Sequence, residues 1–150
     1  ISCIHARQGV LYLSMIRELY GNRIVAYKTE TQQTVNLVWD TIRLAMKREK
    51  KRASAELQLH SDQGFQYTSQ AYFNLAQAYG ITRPYQDEEI RMKAMAENFF
   101  SILKTECICR HKPASLREVN EMIDRYIRFY SHERIQLKTG EAPPMRRLSA

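Results

Sequence analysis

No stretch of this chain approaches the roughly 20 consecutive apolar residues that a membrane-crossing helix needs, so no membrane partner is expected. The N-terminus has neither a charged leader region nor a long apolar one, and no secretory signal is expected. Cysteine is scarce. Cys3, Cys107 and Cys109 make an odd count without framework spacing, which points to a reducing compartment and a cytoplasmic location. Cys107-Ile108-Cys109-Arg110-His111 lacks the second ligand pair of a zinc site and reads as two partly buried thiols near a helix end. There is no internal repeat and no low-complexity linker. An initial Met is missing too, so Ile1 reads as the middle of a longer sequence.

What is present suits one globular domain. A chain of 150 residues can bury a core without staples. Charged residues are 26% of it, too few for a disordered polyelectrolyte and ordinary for a folded domain. Lys and Arg outnumber Asp and Glu by 23 to 16, a formal charge of +7, which favours nucleic acid or another acidic surface as partner.

Periodicity predicts an α/β order. Ile1 to His5, Val10 to Arg17 and Arg23 to Thr29 read as strands, separated by turns at Arg7-Gln8-Gly9 and Tyr20-Gly21-Asn22. That is a three-strand antiparallel meander. From Thr34 to about Lys50 the apolar period becomes helical, with Thr34 as cap. Lys47 to Arg52 is a basic run suited to a helix end. Leu57 to His60 reads as a further strand ending at Asp62, and Ser69 to Tyr79 as a helix stopped by Gly80. Ile81-Thr82 begins a short strand. Ala94 to Cys109 is helical, with Met95, Phe99, Ile102 and Leu103 inward, and Trp39 is a core residue of the first helix. Ser115 to Tyr130 is a last helix opened by a Ser115/Glu118 capping box, before an irregular tail marked by Gly140, Pro143 and Pro144. A strand after a crossover helix lies parallel to an earlier one; if that one is the first, Asp62 emerges beside Ile1.

Asp62 and Glu97 are the residues that carry chemistry. One carboxylate at a strand end and one on a facing helix are hard oxygen donors suited to Mg²⁺ or Mn²⁺. Two such ions can clamp both oxygens of a phosphodiester exchange.

Three segments carry a family resemblance. His60-Ser61-Asp62-Gln63-Gly64-Phe65-Gln66-Tyr67-Thr68-Ser69 is close to the second-aspartate motif of the retroviral-integrase superfamily, and specifically of bacterial insertion-sequence transposases of the second-reading-frame type. Met95 to Glu106 resembles its glutamate helix, and Tyr126 to Arg134 its C-terminal signature. The resemblance covers residues 1–150 as one integrase/transposase catalytic core. It implies a ribonuclease-H-like fold: a mixed sheet of about five strands, the meander plus parallel strands, flanked by helices. It also implies an Asp, Asp, Glu site holding two Mg²⁺ or Mn²⁺ ions. Water then cuts DNA at the element end, and the freed 3′-hydroxyl attacks target DNA. On this pattern Asp62 and Glu97 are the catalytic and metal-binding residues. Lys104 lies two turns past Glu97 on the same helix face, where it could meet a DNA phosphate. Glu106 reads as a surface acid, and His60 as a histidine packed under the site. DNA is the implied partner, and the superfold admits homo-oligomers.

The chain departs from the pattern in three places. The family's first Asp would stand directly before Ile1, so the core reads as truncated there, and no residue of the first strand is acidic. Between Asp62 and Glu97 lie 34 residues (63 to 96), one fewer than the family's usual spacing. In place of a flexible neutral loop stands Arg83-Pro84-Tyr85-Gln86-Asp87-Glu88-Glu89-Ile90-Arg91-Met92-Lys93. Compensating frame shifts across 83–93 would account for both the loop and the spacing. Two readings stay open: a catalytic domain impaired by these changes, or a non-catalytic, degenerate remnant that folds and binds DNA weakly and non-specifically. No helix-turn-helix pattern supplies base-specific contacts.

Overall fold

The computed structural model describes residues 1–18, 23–49, 70–81 and 86–134, and over 86–93 only the backbone. Strand β1 (Ser2–Ala6) pairs antiparallel with β2 (Gly9–Arg17), and β2 with β3 (Ile24–Glu30). This is the expected meander, and the β1–β2 turn falls where Arg7-Gln8-Gly9 placed it. Gly9 adopts φ +152°, a backbone that residues with a Cβ rarely take. Among the described residues the sheet has three strands in the order β1-β2-β3. The strand expected over Leu57 to His60, the Tyr20-Gly21-Asn22 turn and the tail beyond residue 134 lie outside the described residues. Ile81 itself is not in a strand.

The β2–β3 register slips at its end: Ile16 faces Ala26, but Arg17 faces Ile24, leaving Val25 as the extra residue of a β-bulge. The bulge explains why neighbours Val25 and Ala26 are both buried in one cluster with Ala45. It also redirects the end of β2, where Arg17 sits.

Helix α1 (Val35–Glu49) starts at the expected cap: Thr34 Oγ1 accepts the Leu37 N–H at 3.3 Å. Its buried stripe of Leu37, Val38, Thr41, Ile42 and Ala45 covers one sheet face. Trp39 packs at the edge of the cluster formed by Val38, Ile42 and Tyr72. Helix α2 (Gln70–Ala78) ends at Gly80, φ +64°, with Gly80 N–H on Gln77 O and Ile81 N–H on Ala76 O. Those two bonds form a Schellman cap, as the Gly80 stop predicts.

The opposite sheet face holds the main core. Ile4, Leu11 and Leu13 meet Phe99 and Leu103 of α3 (Gln86–Leu103) and Val119, Ile123 and Ile127 of α5 (Leu116–His132). Helix α3 corrects the sequence reading. It begins at Gln86, eight residues before Ala94, so most of the segment read as an altered loop has a helical backbone. Asp87, Glu88 and Glu89 stand in its opening turn, where the macrodipole favours acidic residues.

Past Leu103 the helix widens into a π-turn, Lys104–Ile108, with the Cys109 N–H bonded to Lys104 O, and then resumes as α4 (Cys109–His111). Lys112 takes a left-handed φ of 44° and ends it. Ser115 caps α5: its Oγ accepts the Glu118 N–H at 3.1 Å, and Glu118 Oε2 accepts the Ala114 N–H at 2.9 Å. The thiols are not alike, against expectation: Cys107 is buried, Cys109 exposed, and all three cysteines are free.

Candidate functional site

Glu97 sits on the solvent side of α3. Met95 and Phe99, one turn apart, face inward, so Glu97 between them faces out. Both neighbours are fixed. Phe99 is 1% exposed and stacks edge-on against Tyr130 of α5 at 4.9 Å between ring centres. The Met95 carbonyl accepts Arg17 Nη1 at 2.9 Å, and Arg17 Nη2 donates to Tyr130 Oη at 3.0 Å. One guanidinium thus ties the end of β2, opposite the bulge, to α3 and α5 at once. Burial lowers the Arg17 pKa, against an opposing effect of Tyr130. Its Nε has no hydrogen-bond partner among the described residues, so the clamp is kept at a desolvation cost.

The Glu97 carboxylate is exposed, and no described residue holds it by a hydrogen bond or ion pair. Its oxygens remain available to a ligand. Ser101, one turn on, is also exposed. Lys104 follows a further turn along, at about 10 Å from Glu97 by helix rise, and is half-buried. The regular helix runs to Leu103, and Lys104 opens the π-turn that follows.

Within the π-turn, Glu106 faces α5. There it accepts Tyr126 Oη at 2.8 Å and Arg134 Nη2 at 2.9 Å. Glu106 is therefore a brace rather than the surface acid expected. Burial first, then the bond to Glu106, pushes the Tyr126 pKa well above its ordinary value. Arg134 also lies over the Tyr130 ring at 5.7 Å. Sequence reading missed the Arg17–Met95 and Glu106–Tyr126–Arg134 links. The signal for the second lay in the quoted segments, where Tyr126 and Tyr130 are one helical turn apart.

Asp62 and His60 lie outside the described residues. Among the described residues, no three His, Cys, Asp or Glu side chains gather as a metal would need. Glu97 fits a hard divalent cation by donor chemistry, as an unpaired carboxylate. No described helix is long and apolar enough to cross a membrane.

Comparison with known proteins decides the family. Residues 1–87 match the integrase core domain, and residues 97–146 match a second model of the same description. The chain belongs to the integrase core domain family. An uncharacterized transposase-like protein of Haemophilus influenzae is 32% identical over 92% of this chain and 63% of its own. The putative transposase for insertion sequence element IS150 of Escherichia coli is 30% identical over 90% of this chain and 47% of its own. The chain thus spans about half to two thirds of these relatives.

The integrase core fold is seen in solved structures as well. The catalytic core domain of HTLV-2 integrase, in complex with magnesium in its dimeric form, aligns with TM-score 0.66 at 12% identity, covering 95% of this chain and 88% of that one. The core domain of BIV integrase aligns with TM-score 0.63 at 18% identity, over 99% and 91%. The ribonuclease-H-like fold class is therefore right. The finer expectation of about five strands exceeds the three that the described residues contain.

Proposed function

We propose that this integrase core domain is the catalytic unit of an insertion-sequence transposase, cutting and joining DNA with Mg²⁺ or Mn²⁺. Residues 1–150 act in this reading as one unit, and Asp62 and Glu97 are its metal ligands. The observation that carries it is Glu97: an exposed carboxylate without a partner among the described residues, on a helix fixed on both sides of it. That is what a ligand-bearing helix requires, since a site loses rate steeply with small displacements. A bound divalent ion would polarise the phosphodiester and favour the attacking oxygen. The chain's own residues do the positioning: Arg17 and Phe99 hold the helix, and Lys104 faces DNA phosphate along the same stripe. The relatives named as transposases support the reading.

A second reading keeps the fold and DNA affinity without catalysis, and the spacing of 34 residues between Asp62 and Glu97, one fewer than the pattern's, favours it. Mn²⁺ binding separates the two. In a titration of the chain extended by Asp before Ile1, Mn²⁺ should broaden amide signals around Glu97. Glu97→Gln should abolish that local broadening. Equal broadening in the Glu97→Gln variant would remove Glu97 from the metal site and leave the remnant reading.

A further inference from the structure

Helix α5 leaves a concavity of about 330 Å³ where its second half passes the end of β3. Its floor includes the buried Ile24 and Ile127. Its lining gathers cations from three parts of the chain: Arg23 before β3, Arg48 in the last turn of α1, and Arg128 with His132 on α5. No described residue of α3 is in its lining, which sets it apart from the Glu97 surface.

The charges here are unevenly spent. Arg23 is paired with Glu49. Asp124 in the lining accepts the Tyr27 hydroxyl at 2.8 Å. Arg48 gives Nη1 to the Val25 carbonyl exposed by the bulge, at 2.9 Å, and keeps the rest of its fork. The Arg128 guanidinium has no hydrogen bond or ion pair to any described residue. Arg48 and Arg128 both line the same concavity as Tyr27. His132 uses Nδ1 on the Arg128 carbonyl at 3.0 Å, and Nε2 stays uncommitted. Against Asp124, Arg48 and Arg128 leave a net positive charge. Two guanidinium forks with free donors over an apolar floor match the planar, bidentate recognition of a phosphate group.

We propose that this concavity is a phosphate-binding site, held chiefly by Arg128 and Arg48 and separate from the Glu97 surface. Its ligand chemistry is one phosphate group, either a phosphodiester of a DNA backbone or a free phosphate. The free-phosphate part does not depend on the transposase reading.

The test uses the full chain and follows the side-chain Nε–H signals of Arg48 and Arg128 by NMR. Inorganic phosphate, against chloride at matched ionic strength, should move both signals saturably. Arg128→Gln should weaken phosphate binding roughly tenfold or more. Arg125→Gln, an exposed change on the same helix, should not. In the DNA arm a short duplex should move the same signals, and Arg128→Gln should lower the salt slope of binding by about 1. Phosphate binding without a DNA response keeps the site and assigns it to a free phosphate. Three results overturn it: an equal response to chloride, equal weakening by Arg125→Gln, or shifts of these signals with protein concentration alone. The last would make the concavity a contact between copies.

Discussion

Arg17 Nη1 donates to the Met95 carbonyl at 2.9 Å, two residues before Glu97. The same guanidinium reaches Tyr130 on α5, so the placement of the Glu97 helix is tied to the end of β2 through one side chain. Arg17→Ala removes both charged hydrogen bonds and the packing of the stem. It should cost about 3 kcal/mol in urea unfolding. Arg17→Lys should recover only part, because an ammonium does not reproduce the fork. A loss within about 0.5 kcal/mol, the range of ordinary surface changes, would mean the clamp carries no weight.

Alkaline pH should loosen the α5 face. Burial, and then the bond to Asp124, pushes the Tyr27 pKa up to about 12 from its ordinary 10.0. Tyr126 is raised for like reasons, with Glu106 as its partner. A raised tyrosine pKa leaves stability unchanged below the unfolded value near 10. Stability then falls as pH climbs towards the folded value, because the unfolded chain sheds the proton first. The urea midpoint should hold to about pH 10 and drop beyond it. Tyr27→Phe should remove part of that drop. An alkaline drop of the same size in the Tyr27→Phe variant contradicts this account of Tyr27.

The three thiols should react at different rates. Cys109 is exposed, whereas Cys107 is buried and burial pushes its pKa up, against a smaller opposing effect of Arg125. The thiolate is the reactive form. Under native conditions at neutral pH, an aromatic disulfide reagent should modify Cys109 promptly and Cys107 only on unfolding. Comparing Cys109→Ser with Cys107→Ser assigns the phases. Fast modification that survives in the Cys109→Ser, Cys3→Ser double variant contradicts the burial of Cys107.

Much of the scaffold was legible because it follows short-range periodicity. The alternation through Leu11 and Leu13, the α1 stripe from Leu37 to Ala45 and the Ser115 cap are written locally, and each element appears within a residue or two of its expected place. The helix from Gln86 was not read. Its sequence differs from the family loop, and Asp87, Glu88 and Glu89 are ordinary helix-opening residues. The bulge at Val25 and the π-turn at Lys104 have no local signal. They are set by what α1 and α5 present across the chain, through Arg48 on the Val25 carbonyl and through Tyr126 and Arg134 on Glu106. Of the candidate site, Glu97 lies exposed on the helix expected to carry it, and Lys104 falls at the start of the π-turn. Arg17 escaped notice because its partner Met95 is far off in sequence and is engaged through its backbone.

The most direct measurement is Mg²⁺- and Mn²⁺-dependent strand cutting and joining on an element-end DNA duplex. It compares the chain carrying Asp before Ile1 with its Asp62→Asn and Glu97→Gln variants. The account predicts metal-dependent products from the extended chain and none from either variant. Undiminished activity in the Glu97→Gln variant would contradict it.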